Sequence, residues 1–186
     1  MSDTQRYFLA VFPPPEAQAA AAEACGPLRS PGDGVSWVKR DNLHYTLRFL
    51  GDLRADGAHR ALLAAREAAS VRGSFAATLG TFGVFPSPRR ARVLWLGLAQ
   101  GSGALCQVAS ALDTALVRHG FGPADRPFAP HLTVGRTRAP ADWTAKLSAA
   151  RAPQAAFAVD RVLLVRSRLS PRGSIYERVD EAKLGG

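Results

Sequence analysis

The sequence predicts an α+β fold built from two similar lobes, and three observations support this. Short apolar segments of strand length alternate with alanine-rich helical segments along the 186 residues. The tripeptides His44-Tyr45-Thr46 and His131-Leu132-Thr133 occur once in each half, and the segment Arg92-Val93-Leu94-Trp95-Leu96 echoes Arg161-Val162-Leu163-Leu164-Val165. We therefore expect a single domain over residues 1–186, made of two lobes that each contribute one His-x-Thr motif.

The first half of the chain reads as three strands and two helices. An apolar run closed by three prolines indicates a buried strand, and Pro15 can open the next helix because proline is tolerated in a first helical turn. A Pro/Gly loop follows that helix. The expected elements are a strand over Arg6–Phe12, a helix over Pro15–Cys25, strands over Val35–Val38 and His44–Leu50, and a helix over Ala58–Ser70.

The second half repeats this mixture. Leu105, Val108, Leu112 and Leu116 form an apolar stripe at helical spacing. The expected elements are strands over Phe75–Phe82 and Arg92–Leu98, a helix over Ser102–His119, a strand around His131, a helix near Ala141–Ala150, and strands over Phe157–Arg166 and Ser174–Val179.

Composition is typical of a globular protein, since 47% of the residues are hydrophobic and no run of eighteen apolar residues occurs. The N-terminus lacks an export signal, so we expect a cytoplasmic protein with no membrane partner. Cys25 and Cys106 are lone thiols, expected to be reduced. The sequence contains no Gly-rich phosphate loop and no zinc-spaced Cys or His cluster, and we expect neither metal nor cofactor.

The net charge of +9 favours an anionic partner, for which RNA is the obvious candidate. Arginine accounts for 21 of the 24 basic residues, and its planar donor fork suits phosphate. The chain is also rich in alanine, and that combination is equally typical of a GC-rich coding sequence. The charge is therefore compatible with RNA binding without establishing it.

The two His-x-Thr motifs carry the chemical prediction. Residues i and i+2 of a strand point to the same face, so each histidine lies beside its threonine. An imidazole transfers protons near neutral pH, and a hydroxyl donates hydrogen bonds to phosphate oxygens. One such motif alone is more typical of a half-buried structural histidine, but the duplication favours metal-independent displacement at phosphorus.

Around these motifs the sequence resembles a known family. The resemblance extends over nearly the whole chain and rests on Arg6-Tyr7-Phe8-Leu9-Ala10-Val11, the segment from Trp37-Val38 through Asn42-Leu43-His44 to Phe49-Leu50-Gly51, Arg92-Val93-Leu94-Trp95-Leu96-Gly97, Arg126-Pro127-Phe128-Ala129-Pro130-His131-Leu132-Thr133 and Ser167-Arg168-Leu169-Ser170-Pro171-Arg172-Gly173. The chain resembles the 2H phosphoesterase superfamily and, within it, the bacterial and archaeal RNA 2′,3′-cyclic phosphodiesterases, also called 2′-5′ RNA ligases.

The resemblance implies a bilobal, pseudo-two-fold fold with two antiparallel sheets, outer helices and a central cleft. It implies hydrolysis of RNA 2′,3′-cyclic phosphate ends to 2′-phosphates, and 2′-5′ ligation in reverse. From the sequence we expect no obligate protein partner. It assigns His44 as proton donor to the 3′ oxygen and His131 as proton acceptor from water. The residues alone leave these two roles open, because the motifs are nearly symmetric.

Two alternative functions stay open from the sequence. The same chemistry could act on small cyclic nucleotides or on 2′-5′ oligonucleotides. A non-catalytic module that binds RNA ends could retain the fold, although pure binding has no need of two proton-transfer groups.

Phosphate binding is assigned to Thr46, Thr133 and one or both of two arginines. Arg48 shares the face of His44 if its strand is regular. Arg136 should lie opposite His131 by strict alternation, yet the resemblance places a phosphate-binding basic residue there, and Gly135 could reverse the alternation through a bulge.

Two aromatic residues near the motifs, Phe12 and Tyr45, are candidates for stacking on a nucleobase. Burial in the core is the more common role of an aromatic side chain.

Overall fold

The structure, a computed structural model, describes residues 4–170 and 173–185. Pro171 and Arg172, which belong to the last segment of the resemblance, lie outside the described residues. The elements confirm the predicted α+β class. In chain order they are β1 Gln5–Val11, α1 Pro15–Ala24, β2 Val35–Trp37, β3 Tyr45–Leu53, α2 Ala55–Ser70, β4 Phe75–Phe85, β5 Ala91–Gln100, α3 Ser102–Arg118, β6 Leu132–Ala141, α4 Thr144–Ala149, β7 Ala156–Val159, β8 Arg161–Ser170 and β9 Gly173–Lys183.

The strands form one antiparallel sheet in the order β7-β4-β5-β6-β3-β1-β8-β9, with β2 paired to β6. The pairing between β3 and β6 consists of the single residue pair Tyr45 and Leu132. The two expected sheets are thus connected through one narrow junction. We propose that β7-β4-β5-β6 and β3-β1-β8-β9 are the sheets of the two lobes, since each brings one His-x-Thr motif to this junction.

The large hydrophobic core lies between the sheet and the helices α1, α2 and α3. Among its fully buried side chains are Leu9 of β1, Leu112 of α3 and Leu132 of β6. A separate apolar cluster of Phe8, Ala10, Leu163 and Val165 lies on the other side of β1 and β8. We call this second side, which carries Phe8 and Ala10, the open face of the sheet. Within the described residues, no helix is long and apolar enough to cross a membrane.

The predicted strand Phe157–Arg166 is wrong, because the structure divides it at Asp160 into two strands. β7 pairs with β4 in one half of the sheet, whereas β8 pairs with β1 in the other. Asp160 and Arg161 interrupt the apolar run at this point, but no glycine or proline marks the crossing from one half of the sheet to the other. The sequence similarity between the β5 and β8 segments does not correspond to equivalent places in the sheet. β5 lies beside the motif strand β6, just as β1 lies beside the motif strand β3, so the counterpart of β5 is β1 rather than β8.

A bulge in β3 changes which side chains reach the open face. Thr46 is opposite Ala10 and Arg48 is opposite Leu9. Because Ala10 and Leu9 are consecutive residues of β1, Leu47 is an extra residue on β3. Such a bulge reverses the alternation of side chains beyond it. Thr46 is opposite Ala10 on the open face, and beyond the bulge it is Phe49, rather than Arg48, that returns to this face opposite Phe8.

β6 contains a matching bulge. Thr133 and Gly135 are opposite consecutive residues of β5, so Val134 is the extra residue. Val134 is buried, and Arg136 is exposed on the same face as Thr133. The structure confirms that the alternation breaks at Gly135, and the two motif strands share the same irregularity at the same position.

Candidate active site

His44 immediately precedes β3, and its loop is held from two sides. The carbonyl of buried Leu43 accepts a hydrogen bond of 2.9 Å from Nε2 of Gln18 in α1. The side-chain amide of Asn42 donates to the carbonyl of Ser174 in β9, at 3.1 Å. The loop is therefore tied both to the helical layer and to the far strand of its lobe, which fixes the position of the imidazole.

The two histidines have the same hydrogen-bond arrangement. Nδ1 of His44 lies 2.6 Å from the carbonyl oxygen of Asn42, and Nδ1 of His131 lies 2.7 Å from that of Ala129. A carbonyl oxygen only accepts, so each Nδ1 carries a proton and donates it. The nitrogen left to gain or lose a proton is Nε2 in both rings, as a pair of acid–base catalysts requires.

Aromatic rings surround His44. Its ring centroid lies 5.0 Å from Phe8 and 5.0 Å from Phe12, with the Phe12 ring stacked at an interplanar angle of 19°. Tyr176 meets it edge-on at 5.2 Å. His131 has an aromatic neighbour in Phe85, at 5.3 Å and 82°. Each imidazole thus donates to the backbone carbonyl two residues before it, but the aromatic rings around the two differ.

This environment lowers the pKa of His44 from 6.5 to about 4. Burial against apolar rings is the largest cause, because it disfavours the charged imidazolium. The hydrogen bond to Asn42 opposes the shift, while the charges of His131 and Arg136 add to it. His131 and Arg136 are far from His44 in the sequence but near enough in the fold for their charges to act on its imidazole.

We expect His44 to remain neutral at pH 6 in the free protein, with its Cε1 proton resonance titrating around pH 4. Binding of a 2′-nucleotide should raise that midpoint, because a phosphate anion favours the imidazolium. An NMR titration with and without ligand measures both values, and a His44→Gln variant identifies the resonance. A free-protein midpoint close to the ordinary histidine value would contradict the desolvated environment.

Thr46 and Thr133 lie on the open face beside the histidines, and both are half-buried. Neither hydroxyl has a hydrogen-bond partner among residues 4–170 and 173–185. Two uncommitted hydroxyl donors beside two titratable imidazoles can bind the non-bridging oxygens of a phosphate.

The two candidate arginines point in different directions. The Arg48 guanidinium forms an ion pair with Asp113 of α3 and donates to the carbonyl of Gly122. The expectation that Arg48 faces the histidines is therefore wrong, because the β3 bulge turns it toward the helices. Arg136 lies on the open face, and its charge contributes to the lowered pKa of His44.

The two predicted stacking residues are also placed differently. Tyr45 is 0% exposed, and its hydroxyl is directed at the carbonyl of Gly97, so the prediction that it stacks on a nucleobase is wrong. It faces the core because it alternates with His44 and Thr46. Phe12 lies at the site, but its ring stacks on His44 and also carries the Arg178 guanidinium 4.7 Å from its centroid.

A family model described as the 2′-5′ RNA ligase superfamily matches residues 13–170. The chain belongs to this superfamily. It is 33% identical over 184 residues to the RNA 2′,3′-cyclic phosphodiesterase of Thermotoga maritima, covering 97% of this chain and 96% of that protein. It is 36% identical over 137 residues to the protein of the same name from Escherichia coli, covering 73% and 74% of the two chains.

Solved structures of similar proteins extend the match to the fold. A crystal structure of a Thermus thermophilus protein has a TM-score of 0.81 and 31% sequence identity, covering 97% of this chain and 98% of that one. Escherichia coli LigT complexed with 3′-AMP has a TM-score of 0.83 and 27% identity, covering 99% of this chain and 100% of that one. The mixed fold with an antiparallel sheet and packed helices is thus the fold of these superfamily members.

Several residues of this superfamily member that line the site were not predicted from its sequence. They are Phe8, Phe85 and Tyr176, which contact the histidine rings, and the sequence also did not single out Phe49, which contacts Phe8. For Phe49 a signal existed, because it follows His44 by five positions as Arg136 follows His131. Alignment of the two motifs as repeats pairs these two residues.

Proposed function

We propose that this chain is a metal-independent RNA 2′,3′-cyclic phosphodiesterase that converts cyclic phosphate ends to 2′-phosphates. The observation that carries the proposal is the pair of histidines, each with Nδ1 fixed by a carbonyl and Nε2 free, beside a threonine hydroxyl without a partner among the described residues. Relatives named RNA 2′,3′-cyclic phosphodiesterase support the substrate class.

The reaction requires two proton transfers on opposite sides of the phosphorus. Nε2 of His131 takes a proton from water while the water oxygen forms a bond to phosphorus. The bond from phosphorus to the 3′ oxygen breaks, and Nε2 of His44 gives its proton to that oxygen. The product carries a 2′-phosphate and a free 3′ hydroxyl. With an RNA 5′ hydroxyl in place of water as the nucleophile, the 5′ oxygen bonds to phosphorus as the 3′ oxygen leaves, and a 2′-5′ linkage forms; the reverse of that step cleaves the linkage and restores the cyclic phosphate.

Because the pKa of His44 is lowered, His44 can act as the acid only if the bound substrate favours its protonation. In the free protein the imidazole is neutral at pH 7, because burial and the Arg136 charge disfavour the imidazolium. A bound phosphodiester brings a negative charge that offsets Arg136 and favours protonation of His44. Substrate binding thus favours the protonated imidazole that a proton donor needs, and the acid role itself is what the resemblance implies.

The phosphate is held by three further side chains. We assign Thr46 and Thr133 to its non-bridging oxygens, since their hydroxyls lie on the open face without other partners in the described part of the chain. Arg136 supplies a positive charge on the same face. These groups stabilise the negative charge that grows on phosphorus during attack.

The deciding experiment is incubation of the purified protein with a 2′,3′-cyclic-ended oligonucleotide and with free 2′,3′-cyclic nucleotides in EDTA. We expect hydrolysis with the phosphate on the 2′ oxygen, identified by ³¹P NMR of the product. Activity that disappears with EDTA and returns with a metal would contradict the metal-independent mechanism. Hydrolysis of free nucleotides alone would instead favour a small-nucleotide phosphodiesterase.

A further inference from the structure

Phe49 is unusually exposed for a phenylalanine near an active site. It exposes 70% of its surface, whereas large aromatic rings are ordinarily buried. Its ring centroid lies 6.2 Å from that of Phe8, which in turn lies 5.0 Å from His44. Phe49 is therefore one ring farther from His44 than Phe8, along the open face.

The two-lobe arrangement gives this position a counterpart. Phe49 and Arg136 each follow their motif histidine by five positions, and each follows a bulge in its strand. Equivalent places in the two lobes thus carry a phenyl ring and a guanidinium. A guanidinium suits phosphate, whereas an exposed ring offers an apolar π surface.

The proposed reaction decides which lobe faces the nucleoside. His44 protonates the 3′ oxygen, which belongs to the ribose of the terminal nucleotide. That ribose and its base therefore lie on the His44 side of the phosphorus, and the attacking water lies on the His131 side. The nucleoside faces the β3-β1-β8-β9 lobe, to which Phe49 belongs.

The other rings of that lobe are already engaged. Phe8 is 3% exposed, and Phe12 contacts both His44 and the Arg178 guanidinium. Tyr176 is half-buried and meets His44 edge-on. Phe49 is the ring of this lobe, within the described residues, that leaves most of its surface to a ligand.

We propose that Phe49 is the stacking platform for the nucleobase of the nucleotide that bears the cyclic phosphate. The inference rests on the proposed function, because the leaving 3′ oxygen sets the side on which the base lies. Stacking tolerates every base, since each has a π face, and favours the larger purines. Phe49 then contributes to substrate affinity, and the proton transfers stay with the histidines.

The test compares Phe49→Ala, Phe49→Leu and Phe49→Trp on cyclic nucleotides and on a cyclic phosphodiester that has no base. Loss of stacking should weaken affinity about 5- to 150-fold, the range found when aromatic platforms are replaced by alanine. We expect KM for 2′,3′-cyclic AMP to rise by such a factor in the alanine variant, with a smaller change in kcat. The KM of Phe49→Leu should stay close to that of Phe49→Ala, because leucine has no π face. The KM of Phe49→Trp should equal the wild-type value or lie below it.

The baseless substrate separates stacking from a structural effect. Its kcat/KM should be the same in wild type and Phe49→Ala, whereas a loss on both substrates would overturn the stacking role. Val71 is equally exposed at 70% and lies at the end of α2, so Val71→Ala is a matched control expected to change neither substrate.

Equilibrium binding of 2′-AMP and inorganic phosphate tests the inference without turnover. Weaker binding of 2′-AMP but unchanged binding of phosphate in Phe49→Ala supports the platform, and equal 2′-AMP affinities refute it. Failure of the wild-type protein to hydrolyse any cyclic substrate would refute the proposed function instead, so the two failures are distinguishable.

Discussion

Replacement of either motif histidine by alanine is expected to lower turnover of a 2′,3′-cyclic phosphate by about 10²- to 10⁴-fold, the usual contribution of a general acid or base. In His131→Ala no group takes the proton of water. In His44→Ala the 3′ oxygen must leave without a proton. Steady-state rates with 2′,3′-cyclic AMP measure both losses, and circular dichroism checks that the variants fold.

The double variant tests whether the histidines act on one displacement. When two groups serve the same step, replacing both lowers turnover much less than the product of the two single decreases. His119→Ala is the control, since His119 pairs with Glu67 at the surface between α2 and α3. Near-wild-type turnover in either motif variant would remove that histidine from the mechanism.

Thr133→Val and Thr46→Val are expected to lower kcat by about 10²- to 10³-fold each, as loss of one donor to a developing oxyanion typically does. Valine keeps the shape and β-branching of threonine, so the strand is preserved while the donor is lost. The effect should appear mainly in kcat, because the charge on the oxygens is greatest in the transition state.

The control for these variants is Thr114→Val on α3, whose hydroxyl donates to the carbonyl of Ser110 at an exposed position. That change should leave kcat unaltered. If the kcat of Thr46→Val or Thr133→Val equals that of Thr114→Val, the threonine replaced would serve only the strand structure. The phosphate oxygens would then be bound by other donors.

The two motif strands show which side-chain directions the strand alternation of the sequence can predict. The alternation of β3 correctly placed Thr46 beside His44, because only two residues separate them. It failed at Arg48, because a bulge depends on how β3 pairs with β1, a strand more than thirty residues earlier in the chain. In β6 the glycine at 135 marked the irregularity in advance, since glycine in a strand often indicates a bulge.

The sequence by itself determined the two His-x-Thr motifs, their threonines, the α+β class and the resemblance to a family. These are properties of local residue types and their spacing. The tertiary structure decided that Tyr45 is buried, that Arg48 pairs with Asp113, and that Phe49 is exposed.

It also decided the charge state of His44. The pKa of that imidazole falls to about 4 because burial beside Phe8, Phe12 and Tyr176 disfavours its charged form and because the charges of His131 and Arg136 add to the shift. These contributors come from separate parts of the chain. Desolvation and charge depend on distances through space, and those distances are set only when β1, β6 and β9 are brought together around β3.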